Sequence, residues 1–397
     1  MKILQLCNKP PYPPVDGGTL AMNSITQGLL AAGCEVRVLS ICSDKHPVLK
    51  DRMDDEYRKR TRFEAVYVDL GLRFPDAAVA MLCGESYHVK RFISKDFARK
   101  LEQVLKEEEF DVVHVESIFM TPYLPLIRKN SNALVMLRAH NVEHLIWRRV
   151  AGSEPNPFKR WYLKHLSLTL SAYEREHVND YDGVVGITEN DVRMFRQMGC
   201  RKPMTAIPFG VSPDIVEQVE VEPNTLFHLG SMDWMPNQEG VKWFLEQVWP
   251  LVHKRLPQLV LYLAGRKMPE GLMRLNMDGV KVVGEVPDAM YFMASKQINV
   301  VPLLSGSGIR VKIVEAMSLG KPVVTTSVGA EGIGCTDGKD VLIADTPQQF
   351  VEQLQRCVDN PDFCRQLGLN ASRLIVEQYG SEMLTERLLD FYRSRLQ

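Results

Sequence analysis

Short continuous apolar runs alternate along this chain with longer stretches whose apolar positions recur every three or four residues. Runs without a polar alternation fit strands buried on both faces, so the pattern predicts a parallel sheet covered by helices. In the first half, KILQLC, EVRVLSI, AVYVDL, DVVHVE, ALVMLRA and GVVGIT predict strands, and Leu20–Ala32, Lys95–Glu108, Lys159–Asp180 and Glu189–Met198 predict helices. Thr188 followed three residues later by Asp191 resembles a capping box for the last of these. A second series follows the connection PFGVSPDIVEQVEVEPN. It has strands at TLFHLG, LVLYLAG, VKVVGE, INVVPLL, PVVTTS and DVLIA, and helices at Glu239–Lys254, Arg310–Leu319, Pro347–Val358 and Asp362–Gln378. The final segment places Met383, Leu384, Leu388, Leu389 and Tyr392 at helical spacing, which predicts a helix that packs on another element.

Length turns this pattern into two domains, because 397 residues exceed one ordinary core. A cleft between domains is then an expected place for a site. The 48 basic and 49 acidic residues leave a formal charge of -1, which gives no overall electrostatic reason to bind nucleic acid, so any basic site is local. Eight scattered cysteines without a C-x-x-C pair fit reduced thiols and a cytoplasmic location. The opening MKILQLCNKPPYPP reads as a strand and a loop rather than a signal peptide, and no apolar run approaches the ~18 residues of a membrane span.

Two stretches carry chemistry. After the first strand, NKPPYPPVDGG is too long and proline-rich for a dinucleotide turn, and no G-x-G-x-x-G follows, which argues against hydride transfer. Gly17 and Gly18 stand just before the predicted helix, where an anionic group can approach its N-terminus, although a flexible turn explains them equally well. The second stretch is INVVPLLSGSGIRVKIVEAMSLGKPVVTTS. Its small-residue loop, Ser305 to Gly308, opens a helix whose dipole favours phosphate. Arg310 and Lys312 put cations in the first turn, the wrong end for the dipole unless an anion binds there. Glu315, seven residues past Gly308 and so about 10 Å down the helix, can accept hydrogen bonds from a diol such as ribose. An ordinary amphipathic helix with a surface Glu is the plainer alternative.

These residues, with GEVPDAMYFMASKQINVVPL, VGAEGI, LRAHNVEHLIWRRV, GVVGITEND, IPFGV and FHLGSMDWMPNQEGVKWFLEQVWP, resemble the family 4 glycosyltransferases over most of the chain after about residue 110. The resemblance implies an α/β chain of GT-B fold, with two Rossmann-like doubly wound domains facing each other across a cleft. Residues 1–208 would take the acceptor and 209–380 the nucleotide sugar, with 381–397 a helix crossing back to the first domain. It further implies retaining transfer of a sugar, a hexose by expectation, from a nucleoside diphosphate donor to a glycan, lipid-linked or small-molecule acceptor in polysaccharide biosynthesis. No bound metal or cofactor is expected, since the nucleotide sugar is a co-substrate.

Carried over by position, Glu315 matches the second acid of the family's E-x7-E element and would hold the ribose. The first acid falls at Ser307, a departure that leaves open how the sugar hydroxyls are held. In GSMDWMPNQEG, Ser231 and Glu239 stand nearest the places where many relatives have Arg and Lys. Arg310, Lys312 or Arg266 is therefore expected to supply the missing charge. Gly18, Gly308, Ile309, Arg310 and Lys312 are assigned to the diphosphate, and His140 to the donor sugar. His144, four residues on from His140, completes no metal motif.

Segment 147–164 interleaves Arg148, Arg149, Lys159, Arg160 and Lys164 with Trp147, Phe158, Trp161 and Tyr162. A solvated face over buried aromatics is its commoner reading; docking on anionic lipid at the inner membrane face, suited to a lipid-linked rather than a free carbohydrate acceptor, is the other. Two further function classes stay open: a GT-B sugar-nucleotide epimerase, and a non-catalytic nucleotide-sugar-binding subunit.

Overall fold

The computed structural model describes residues 1–211, 219–306 and 308–396. Contacts divide the chain into two compact units, Met1–Gly210 with Ser381–Gln397, and Val211–Gly380. Each unit is one parallel sheet covered by helices.

The first unit holds strands β1 (Lys2–Cys7), β2 (Glu35–Cys42), β3 (Glu64–Tyr67), β4 (Val112–Glu116), β5 (Leu134–Ala139), β6 (Gly183–Gly186) and β7 (Met204–Ala206). Their order in the sheet is β3-β2-β1-β4-β5-β6-β7. The second holds β8 (Thr225–Leu229), β9 (Val260–Ala264), β10 (Val280–Gly284), β11 (Ile298–Val301), β12 (Val323–Thr325) and β13 (Leu342–Ile343), in the order β10-β9-β8-β11-β12-β13. Both sheets start inside, wind to one edge and return, so each has a switch point, between β1 and β4 and between β8 and β11. Ligands of doubly wound sheets bind beyond the carboxyl ends of the strands at such points.

The apolar runs predicted the strands because β4, β6, β11 and β12 are buried throughout. Several strands are shorter than their runs: β11 stops before Pro302, and β3 ends at Tyr67 rather than Leu70. The capping box at Thr188 and Asp191 is present. Among the helices whose bounds differ from expectation, three have a clear local cause. The first begins at Gly17, not Leu20, because Asp16 and Thr19 form a capping box there. The helix expected at Glu239–Lys254 begins at Met235 and passes through a π turn at Phe244–Val248 just before Pro250, whose missing N–H cannot continue the regular ladder. The expected Arg310–Leu319 helix spans Val311–Ser318, with Arg310 as its N-cap.

The last helix, Ser381–Leu396, belongs to the first unit. Leu384, Leu388, Leu389 and Tyr392 are buried against the Gly17–Ala31 helix and the sheet, with Met383 at the margin. Gly28 permits the close approach, since a Cβ there would lie 2.1 Å from Thr385 Oγ1.

Candidate active site

In the second unit the switch point brings together β8, the loop after it, and the loop and helix after β11. Gly230 follows β8 beside Gly265, where a Cβ would fall 1.8 Å from the Gly230 carbonyl oxygen, so the segments that leave the neighbouring strands pack backbone to backbone. The loop before the Val311–Ser318 helix turns through Gly308 at φ 78, a left-handed conformation suited to glycine. No side chain caps this helix. Arg310 is buried at 4% exposure, donates from Nη1 to the Gly308 carbonyl at 2.6 Å and stands 5.8 Å over the Trp234 ring. Its guanidinium thus braces the loop.

Lys312, the second residue of the helix, reaches back toward β8. Its Nζ donates to Asn237 Oδ1 at 2.5 Å and lies 3.4 Å from His228 Nε2. Asn237 Nδ2 in turn donates to the Ser231 carbonyl at 2.8 Å. His228 Nδ1 is 2.9 Å from the Val300 carbonyl, which requires an Nδ1–H and leaves a bare Nε2 toward the ammonium. Burial, then the Lys312 charge, pushes His228 well below the ordinary imidazole range, so it is neutral. Burial, then the Arg310 cation, pushes Lys312 down to about 7. One turn further, burial pushes the Glu315 carboxyl up to about 7, and among the described residues it has no hydrogen bond or ion pair. A cation and an acid, both desolvated and short of counter-charge, are therefore held on one helix beside a strand end.

The rest of the predicted set divides. Gly308 and Ile309 lie in the loop that delivers this helix. Arg266 follows β9, and its carbonyl accepts from the Met232 amide at 2.9 Å. Ser307 lies outside the described residues. Glu239 is occupied, accepting from Ser305 Oγ at 2.9 Å, and Ser231 donates to Asp233 at 2.6 Å. His228, Asn237 and Trp234 were not anticipated; a His inside the apolar run TLFHLG was the available signal.

In the first unit, Gly17 and Gly18 are the first two residues of their helix rather than a turn before it. Lys9 pairs with Asp16 at 2.7 Å, and a Cβ on Gly18 would stand 2.9 Å from Lys9 Nζ, so the ion pair itself favours glycine there. Burial would raise Asp16, but Lys9 and the Thr19 amide outweigh it and bring the carboxyl down to about 2.

His140 follows β5 and sits on a buried polar group the sequence reading missed. Its Nε2 is 2.7 Å from Glu116 Oε2 at the end of β4. Glu116 Oε1 meets Gln5 Nε2 at 2.8 Å and His114 Nε2 at 3.0 Å, and His114 Nδ1 meets the Tyr392 hydroxyl. Thr26 donates to Gln5 Oε1 at 2.7 Å, and the Arg138 Nε is 3.9 Å from Glu116. Burial alone would raise Glu116, yet His114 and His140 hold it well below the usual carboxylate range. His144 belongs elsewhere: its Nδ1 is 2.6 Å from Glu174, which also accepts the Glu143 amide and so caps the Glu143–Ser153 helix from 31 residues away.

Segment 147–164 splits by depth. Trp147 stacks on His88 at 4.1 Å and Tyr162 packs on the small cluster of Tyr87, Ala151 and Leu163, whereas Phe158 is 83% and Trp161 61% exposed. Among the described residues, no helix is long and apolar enough to cross a membrane.

Comparison with known proteins decides the family. Residues 16–210 match the Glycosyl transferase 4-like domain, and residues 223–360 match Glycosyl transferases group 1. The chain belongs to the family 4-like glycosyltransferases. Over 395 residues this family 4-like chain is 24% identical to the "Uncharacterized 44.6 kDa protein in cps region" of Klebsiella pneumoniae, covering 96% of this chain and 97% of that one. Its fold is similar to that of HepE from Anabaena, solved in complex with UDP, with a TM-score of 0.68, 14% identity and coverage of 99% and 100% of the two chains. It is also similar to that of sucrose-phosphate synthase from Thermosynechococcus elongatus, with a TM-score of 0.70, 15% identity and 99% of each chain covered. The two Rossmann-like units are those of the GT-B fold, and the family's activity is sugar transfer.

Proposed function

We propose that this glycosyltransferase takes a sugar, a hexose by expectation, from a nucleoside diphosphate donor and transfers it with retention. The observation that carries the reading is the Lys312 ammonium, held by Asn237 beside a neutral His228, with Glu315, whose carboxyl has no partner among the described residues, one turn along the same helix. Lys312 and the amides at the helix mouth neutralise the diphosphate as it departs with the bonding electrons. Glu315 accepts from the ribose hydroxyls. Gly308 and Ile309 let the diphosphate approach, and Arg310 shapes that loop through Gly308 and Trp234. His140 meets a hydroxyl of the donor sugar. The UDP bound by HepE supports a nucleotide-sugar donor for this relative of similar fold.

Retention follows if the acceptor hydroxyl arrives on the face that the diphosphate vacates and passes its proton to the departing phosphate. Cationic side chains replace a metal, so turnover persists in excess EDTA. The exposed Phe158 and Trp161, flanked by Lys159, Arg160 and Lys164, suit a lipid-linked acceptor at an anionic membrane. Sedimentation with phosphatidylglycerol vesicles that Phe158→Ala with Trp161→Ala abolishes would support that contact; equal sedimentation of the two proteins would remove it.

Thermal-shift titration against a panel of UDP-, GDP-, ADP- and dTDP-sugars tests the donor, because a ligand of the folded state alone raises the midpoint with ln(1 + [L]/Kd). One nucleotide sugar is expected to raise it and then to be consumed with formation of an α- or β-linked product matching its own anomer. Product of opposite configuration contradicts retention, and no shift with any of them contradicts the donor.

A further inference from the structure

The first unit contains a buried charge that sugar transfer does not by itself explain. Glu116 is fully buried, ends β4, and is the meeting point of residues from β1, β4, β5 and the last helix. Its proton inventory can be worked out. An ionised carboxylate only accepts, so both histidines must carry hydrogen on the nitrogen that faces it. His140 is therefore an Nε2–H donor, and so is His114. His114 meets the Tyr392 hydroxyl with its other nitrogen, Nδ1, so Tyr392, His114 and Glu116 form one connected chain, with Gln5 and His140 converging on the same carboxylate.

The consequence falls on the other nitrogen of His140. Its Nδ1 has no hydrogen bond among the described residues and is absent from the unpartnered nitrogens that are sealed from solvent. On a side chain 14% exposed, it is a lone pair suited to accept from a hydroxyl. A ring flip or the other tautomer would present a proton there instead and reverse what the site can bind.

We propose that Glu116 is the positioning residue of His140, fixing its ring as the Nε2–H tautomer with Nδ1 free to accept a hydroxyl, and that Tyr392 on the last helix holds Glu116 in turn through His114. The hydroxyl's identity as the sugar's rests on the function proposed above; the fixed tautomer does not. Charged and titratable groups facing this cluster are Lys9 from the loop after β1, Cys7 on β1, His114 on β4 and Arg138 on β5, with Tyr392 from the last helix. Burial outweighs Glu116 and holds His140 below the usual imidazole range, so the ring is neutral around pH 7. The last helix thus reaches the site chemically as well as by packing: a hydroxyl at position 392 bears on a ring nitrogen at position 140.

The test is a long-range 1H–15N correlation of the full-length protein with 15N-labelled histidine, with His140 assigned by its loss in His140→Gln. In the wild type the Nε2 of His140 is expected at the protonated shift and Nδ1 at the bare one. Glu116→Gln and Glu116→Asp, the second keeping the charge beside Arg138 but withdrawing it by one methylene, are expected to move both nitrogens toward the averaged shifts of mixed tautomers. Tyr392→Phe is expected to move them in the same direction by less. Unchanged His140 shifts in a folded Glu116 variant overturn the positioning role, and unchanged shifts in Tyr392→Phe overturn the link to the last helix. With the nucleotide sugar found by the thermal screen, Glu116→Gln is expected to lower kcat about tenfold in the wild-type background and less than twofold in His140→Ala. An equal loss in both backgrounds shows a structural role only. Tautomer changes with no nucleotide-sugar turnover in any variant would contradict the proposed function and leave the positioning of His140 standing.

Discussion

Each unit holds a desolvated glutamate, Glu116 at the end of β4 and Glu315 on the helix after β11, and the two have opposite surroundings. Glu116 accepts from Gln5, His114 and His140 and has Arg138 at 3.9 Å, so it stays ionised deep in the protein. Glu315 has no such partner among the described residues, and burial pushes it up to about 7. The folded protein alone accounts for the charge of the first carboxylate but not of the second. A desolvated acid that meets no side-chain donor among the described residues, one turn from a desolvated Lys312, is where the proposed ribose would complete the hydrogen bonds.

The largest expected effect separates the two by stability. Glu116→Ala breaks a buried charged group and leaves Arg138 without its carboxylate, which should cost about 3–5 kcal/mol in chemical unfolding. Glu315→Gln should leave the unfolding midpoint unchanged or raise it. Comparable losses from both would erase the distinction. Next comes ligand binding, where Glu315→Gln should weaken a nucleoside diphosphate by about 1.5–3 kcal/mol, the value of hydrogen bonds to a charged acceptor. Calorimetry with equal affinity in wild type and variant would remove Glu315 from the site.

Proton linkage gives a smaller effect with a definite sign. Lys312 sits near 7 in the empty protein, below its ordinary value, and a bound anion favours its charged form. Diphosphate binding should therefore take up a proton at pH 8, and its affinity should fall as pH rises above 7. Glu315, raised to about 7, is protonated in part below that pH, whereas accepting from a diol favours its ionised form. Binding at pH 6 should release a proton. Calorimetry in buffers of different ionisation enthalpy reads both signs, and the same sign on both sides of pH 7 would contradict the pairing of these two groups.

How much of this was legible in the sequence depended on where the deciding contact lay. Strands buried on both faces announce themselves as apolar runs, but β7, only Met204–Ala206, is too short to do so. The first helix hid its start behind two poor helix formers, Gly17 and Gly18, because the capping partner is a Thr rather than a Glu. The Glu143–Ser153 helix has no local cap; its cap is Glu174. In the same way Lys312 and Glu315 were visible as a local loop and helix, whereas Glu116, His114 and Arg138 lay inside runs read simply as strands. Only sheet register sets Glu116 beside Arg138. Arg310, expected at the diphosphate, directly precedes the helix that carries Lys312, and as a buried N-cap it braces Gly308 and Trp234, so Arg310→Gln should lower stability by about 1–3 kcal/mol while Lys312→Gln should not.

The most direct measurement of the central claim is calorimetric titration of wild type and Lys312→Gln with the matching nucleoside diphosphate and nucleoside. The expected result is a variant as stable as the wild type that binds the nucleoside equally and the diphosphate at least about tenfold more weakly, the loss of one charge-assisted contact. Equal diphosphate affinity in the two proteins would contradict it and make Lys312 a structural partner of Asn237 alone.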